Sequence, residues 1–255
     1  MSRRWPLGNE VRRREITGGA MLYDASRMGN LEPAWFDPQY WISRGAVEGT
    51  ARGRGAAYFV HTPERDFVLR HYRRGGLVAR ISQDRYFWTG ENATRPFAEW
   101  HLTYHLHRAG LPVPAPLAAR YRRQGRTYTG DLMTERLPGV RSLVEALQAA
   151  PLGPGGWKAV GRCIRRFHDA GVCHSDLNAH NVMLGDGEAV WLIDFDGGSL
   201  REPGLWCDAN LVRLRRSLEK VTWSLPRERF AEPHWHSLLA GYRISTGRRL
   251  LRRPD

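Results

Sequence analysis

The stretch Cys173–Gly198, CHSDLNAHNVMLGDGEAVWLIDFDGG, spaces His174, Asp176, Asn181 and Asp194 across what reads as one hairpin. Asn181-Val-Met-Leu184 and the run from Ala189 to Asp194 are apolar and partly β-branched, and Gly185-Asp186-Gly187 between them supplies a turn that tolerates positive φ. Two short strands joined by that turn bring Asn181 and Asp194 together at one end. A carboxylate and an amide held side by side are oxygen ligands suited to Mg²⁺, which keeps most of its shell for water and phosphate oxygens. Asp176, one loop away, is the candidate base. An ordinary buried hairpin with polar ends would not explain why Asp, Asn and Asp land at the same end.

Working outward, the chain of 255 residues can bury the core of one large domain or two small lobes. Cys163, Cys173 and Cys207 cannot all pair, and their spacing suggests neither zinc nor a disulfide framework, so a reducing cytoplasm is the simplest setting. The N-terminus is basic without a following apolar run, and no segment approaches the length of a membrane span, so the protein is expected to be neither exported nor integral. The net charge is +13, carried almost wholly by arginine, since Lys158 and Lys220 are the only lysines. Such an excess favours anionic partners such as nucleic acid, acidic lipid head groups or phosphorylated sugars.

Upstream, residues 1–49 show no clear period and predict short elements packed on a sheet edge. Gly53 and Gly55 flank Arg54 just before the apolar run Ala56 to Val60, and Phe67 to Arg70 follows a polar turn, which predicts a β-hairpin. Glycines at a strand tip let backbone N–H groups approach phosphates, although a lone G-x-G is commonly only a turn. Residues 70–80, RHYRRGGLVAR, read equally as solvated surface and as an anion-binding loop. The segment 96–109 predicts a helix with Glu99 in its first turn, ended by Gly110 and Pro112. Further on, helices are predicted over 142–148, 157–170 and 208–221, with a Pro/Gly-rich loop at 151–156. The helix over 208–221 packs Leu211, Leu214, Leu218 and Val221 inward and turns Arg213, Arg216 and Lys220 outward, as a solvated face or one that meets membrane head groups.

The order H-x-D-L-x-x-x-N, followed by a strand ending D-F-x, resembles the catalytic loop and metal-binding aspartate of the protein-kinase-like fold. That resemblance implies an α+β, two-lobed fold: a small antiparallel-sheet N-lobe with one helix over residues 1–131, a hinge at 132–139, and a mostly helical C-lobe over 140–255. It implies that Asp176 takes the acceptor proton and that Asn181 and Asp194 hold Mg²⁺ on the phosphates of ATP. Gly53 and Gly55 would approach those phosphates, and Thr134, Glu135 and Arg136 would offer backbone groups to the adenine. Protein kinases carry a lysine on the strand after the glycine loop; here the matching position is Arg70, with Glu99 its candidate partner. Ser175 and Asp196 depart from the protein-kinase pattern and no A-P-E segment follows, which favours a small-molecule kinase. Aminoglycoside phosphotransferases share the loose pattern, but a protein of charge +13 would repel polycations.

A fuller match is to the bacterial 3-deoxy-D-manno-octulosonic acid (Kdo) kinases of lipopolysaccharide core assembly. It rests on GRGAAYFV, LRHYRRGGLVAR, DRY, FAEWHL, AGLPVPAP, CHSDLNAHN, WLIDFD and the NL-x-RL-x-RS-x-x-K of residues 210–220. Within that pattern Arg70 in place of lysine is a family trait. The resemblance implies ATP-dependent phosphorylation of the Kdo 4-hydroxyl on a Kdo-lipid A precursor, by a cytoplasmic protein peripheral to the anionic inner face of the inner membrane. No nucleic-acid partner is expected. A heptose- or aminoglycoside-type kinase of the same fold, or a non-catalytic module binding anionic lipid, are the rival readings.

Overall fold

The structure is a computed structural model that describes residues 8–51, 57–73, 84–244 and 251. Gly53 and Gly55, residues 74–80 of the basic run and the arginines of the C-terminal tail lie outside the described residues. The described chain forms two compact units, one running to Tyr104 together with Pro114–Arg136, the other comprising His105–Val113 and the chain from Leu137 onward.

The first unit is built on an antiparallel sheet. Its strands are β1 (Val11–Ile16), β2 (Gly19–Asp24), β3 (Val47–Ala51), β4 (Ala57–His61), β5 (Asp66–His71), β6 (Tyr86–Phe87), β7 (Pro116–Gln124) and β8 (Thr127–Glu135), ordered β1-β2-β7-β8-β5-β4-β3 with β6 paired to β8. The expected hairpin is β4–β5, in which Ala57 faces Arg70 and Val60 faces Phe67. Residues 8–42, without readable period, form the β1–β2 hairpin at the sheet edge, the short helices α1 (Ala25–Met28) and α2 (Pro38–Ile42), and a 3₁₀ turn at Pro33–Phe36.

Strand alternation sorts β5 onto two faces. Phe67 and Leu69 join Met21, Phe36, Trp41, Leu117 and Met133 in a core that includes the N-terminal helices. Tyr72 joins Phe97, Trp100 and Tyr104 of α3 (Arg95–Arg108) in the other. Arg70 shares the parity of Tyr72 and so is sent toward α3. Because α3 begins at Arg95, Glu99 lies beyond the first turn where the sequence reading placed it. It is buried at 4% exposure, so its position is explained by its partners on the sheet and not by the helix N-terminus.

The second unit contains β9 (Arg141–Ser142), α4 (Leu143–Ala149), α5 (Pro154–Asp169), β10 (Val172–Cys173), β11 (Val182–Leu184), β12 (Val190–Leu192), β13 (Ser199–Leu200), α6 (Leu205–Val221) and α7 (Glu232–Tyr242). Ser142 and Glu145 form a reciprocal capping box at the start of α4, with Ser142 N donating to Glu145 Oε2 at 2.7 Å and Glu145 N to Ser142 Oγ at 3.2 Å. The Pro/Gly loop expected to end at residue 156 is shorter, because Pro154 sits in the first turn of α5, where its missing N–H costs nothing. Helix α7 had no counterpart in the sequence reading. It crosses α5 at two glycines: a Cβ on Gly161 would stand 2.0 Å from Leu238 O, and one on Gly241 would stand 2.1 Å from Lys158 O.

Candidate active site

Strand β10 hands the chain to His174, which is buried and fixed from four directions. Its backbone N–H donates to Asn210 Oδ1 at 3.3 Å and its carbonyl accepts from Asn210 Nδ2 at 3.0 Å, so one amide side chain of α6 reproduces a strand partner. On the ring, Nε2 lies 3.0 Å from Ile193 O, and Nδ1 accepts the Asp176 N–H at 3.1 Å. These two bonds assign the neutral Nε2–H tautomer, and burial, the largest influence, lowers the His174 pKa and keeps the ring uncharged. His174 thereby ties the loop carrying Asp176 to the strand that carries Asp194.

The loop is tightened by its own amides. Asn178 Nδ2 donates to Asp176 O and to Asp176 Oδ2, both at 3.1 Å, while Asn178 Oδ1 accepts from His180 N at 2.9 Å and Asn181 N at 3.3 Å. Ser217 Oγ of α6 accepts Ala179 N at 3.1 Å. The Asp176 side chain remains about half exposed, oriented by Asn178 and open to a solvent-borne partner. Its Oδ1 stands 3.8 Å from Arg213 Nη1, also on α6.

In the hairpin, Val182 faces Leu192 and Ile193 N donates to Asn181 O at 3.1 Å, so Asn181 and Asp194 emerge beside one another at the open end. Asp194 has φ +63°, left-handed backbone that Asp tolerates better than most residues and that re-aims its side chain out of the strand direction. Ser175 Oγ donates to Asp196 O, fastening the segment after Asp194 back onto the loop that carries Asp176. Asn181 Nδ2 is committed to Asp176 O at 3.0 Å, which turns Oδ1 away from the loop as a candidate oxygen donor. Among the described residues no group of three or more His, Cys, Asp or Glu gathers as a closed metal cage. One carboxylate and one oriented amide oxygen fit Mg²⁺, which completes its shell with phosphate and water.

In the first unit, Arg70 Nη2 forms an ion pair with Glu99 Oε2 and also donates to Tyr72 Oη at 3.1 Å. The Tyr72 hydroxyl donates to the same Glu99 oxygen, and the Arg70 guanidinium lies 4.7 Å from the centre of the Tyr72 ring. The planar fork is thus held on one side by a buried carboxylate and on one face by an aromatic ring. Thr134 and Glu135 end β8, opposite Val68 and Phe67. The Glu135 and Arg136 amides are already used, donating to Ala115 O at 2.9 Å and Asp66 O at 3.1 Å. Any adenine contact from these two residues therefore falls to their carbonyls. Their side chains turn elsewhere, Glu135 to Arg27 at 3.1 Å and Arg136 to Glu48.

Sequence reasoning missed Tyr72, Asn178, Asn210, Arg213 and Ser217. A signal for the last three was present: residues 210, 213 and 217 recur at i, i+3 and i+7, which puts them on one face of a helix. Grouping Arg213 with Arg216 and Lys220 as an outer stripe concealed it.

Residues 38–242 match the sequence model of the Lipopolysaccharide kinase (Kdo/WaaP) family. The 3-deoxy-D-manno-octulosonic acid kinase of Xanthomonas axonopodis pv. citri (strain 306) is 46% identical over 231 residues, covering 90% of this chain and 92% of that protein. The protein of the same name from Stenotrophomonas maltophilia (strain K279a) is 47% identical over 204 residues, covering 80% of this chain and 81% of its own length.

Proposed function

The chain belongs to the lipopolysaccharide kinase (Kdo/WaaP) family, and on that premise we propose that it transfers a phosphoryl group from ATP to the 4-hydroxyl of the Kdo sugar of a Kdo-lipid A precursor. It is a kinase of lipopolysaccharide core synthesis. The observation that carries the chemistry is the Asp176–Asn181–Asp194 set, held by His174 between loop and strand.

In this reading Asp176, oriented by Asn178, accepts the proton of the acceptor hydroxyl as its oxygen takes the γ-phosphoryl group and ADP departs. Asn181 and Asp194 would hold Mg²⁺, whose charge would offset that of the phosphates. Arg70, braced by Glu99 and Tyr72, holds phosphate oxygens with a fork that stays charged at any working pH. Gly53 and Gly55 would lend backbone N–H groups to the phosphates, and Thr134 to Arg136 would line the adenine. The fold is read as the two-lobed protein-kinase-like architecture with lobes 1–131 and 140–255 and a hinge at 132–139; the change of compact unit after Arg136 falls within that hinge and supports it.

The acceptor is carried on a lipid, so the protein would work at the cytoplasmic face of the inner membrane. Among the described residues no helix is long and apolar enough to cross a membrane. What supports peripheral docking is α6: Leu205 at 88% exposure and Val212 at 47% lie two turns apart on one side of the helix, Arg216 and Lys220 are exposed on the same helix, and Trp223 just past its end is 89% exposed. Apolar and indole groups beside cations suit an anionic interface.

Asp176→Asn tests the chemical assignment. Turnover should fall by roughly two to four orders of magnitude, as for removal of a general base, while Mg-ATP affinity, measured by calorimetry, stays near that of the parent. A variant with near-normal turnover would sink the role of Asp176.

A further inference from the structure

Arg213 has no part in the chemistry described so far, yet it stands 3.8 Å from the carboxylate assigned as base. The two side chains are 54% and 51% exposed, so as a surface ion pair they contribute little to stability. The backbone segments that carry them are nonetheless tied together. Asn210, one turn before Arg213, bonds both backbone groups of His174, and Ser217, one turn after, bonds Ala179 N. Helix α6 therefore grips the catalytic loop on both sides of Asp176 and presents a guanidinium at its open edge. Among the described residues, Asp176 is the ion-pair partner of Arg213, at a separation looser than a bidentate pair.

We infer that Arg213 is the acceptor-specificity residue and binds the carboxylate of the sugar while Asp176 addresses its hydroxyl. This rests on the Kdo-kinase reading above. The acceptor is an acidic sugar whose carboxyl-bearing ring carbon is separated from the reacting carbon by a single methylene. Delivering that hydroxyl to Asp176 brings a second carboxylate close to the first, and like charges at such range repel. A cation beside the base offsets the repulsion, and a guanidinium supplies directed N–H donors to the incoming carboxylate. The exposed apolar side of α6 adjoins the Arg213 face, so a lipid-borne sugar would meet Arg213 as the helix meets the lipid.

The test uses the full chain with two acceptors, a Kdo-lipid A precursor and the same lipid with the sugar carboxylate converted to a carboxamide. Wild type should prefer the acid in kcat/KM by roughly ten- to a hundredfold, the range expected for a hydrogen bond to a charged group. Arg213→Ala should raise KM for the acid by a similar factor, abolish the preference, and leave KM for ATP within about twofold. Arg213→Lys should recover part of the preference, which a merely structural role would not predict. An intact preference in Arg213→Ala, or a wild type indifferent to the carboxylate, overturns the inference alone. A wild type that phosphorylates neither lipid overturns the kinase reading and this inference with it.

Discussion

His71 follows Arg70 on β5 and therefore points to the opposite face of the sheet. Its Nδ1 lies 2.7 Å from Asp131 Oδ1 and its Nε2 3.4 Å from Asp84 Oδ2. Asp131 is shared: Arg120 Nε donates to its other oxygen at 2.9 Å, and the same guanidinium reaches Pro33 O at 3.0 Å and Phe36 O at 3.3 Å. This charged cluster, mostly buried, pins the 3₁₀ turn to the sheet. The hydrogen bond that His71 donates to Asp131 outweighs burial and raises the His71 pKa above its ordinary 6.5. A raised folded-state pKa stabilises fully below the unfolded value and fades as pH climbs through the folded one. Thermal melts should therefore lose stability upward from about pH 6.5, and His71→Gln should flatten that slope relative to the parent. Parallel slopes in the two proteins would show that His71 is not the titrating group.

At the scale of elements, the close crossing of α5 and α7 is a sharp structural commitment. Methyl groups at Gly161 or Gly241 would collide with backbone atoms, which cannot swing aside as a side chain can. Each Gly→Ala substitution should lower stability by about 1–3 kcal/mol, read as a shifted urea midpoint; an unchanged midpoint would mean that the helices slide apart freely. Nothing in α7, EPHWHSLLAGY, announces this packing, because its fit depends on a partner helix some seventy residues earlier. The same reason explains the unread N-terminus: β1, VRRREI, is an edge strand with charge on it, and β2 finds its second partner at Ala118 to Arg122. By contrast the β11–β12 hairpin was legible, since strand, turn and polar ends lie within one local stretch. Asp176, Asn181 and Asp194 were legible for that reason, and Arg70 with Glu99 through motif resemblance. Asn210, Arg213 and Ser217 come from another helix: their common face is readable from the spacing, but its place against the Asp176 loop needed the fold.

For the whole molecule, a net charge of +13 and the exposed Leu205, Val212 and Trp223 support the proposed docking on an anionic lipid surface. Sedimentation with vesicles should show binding to anionic but not zwitterionic lipid, weakened by salt. Trp223→Ser should cut partitioning by roughly tenfold, whereas equal binding by variant and parent would remove α6 from the docking surface. The proposed acceptor is the Kdo 4-hydroxyl. Wild-type protein incubated with γ-labelled ATP, Mg²⁺, a Kdo-lipid A precursor, an aminoglycoside and a generic protein should place the label on the lipid alone, at the Kdo 4-position. Label on the aminoglycoside or the protein, or none on the lipid, would contradict it.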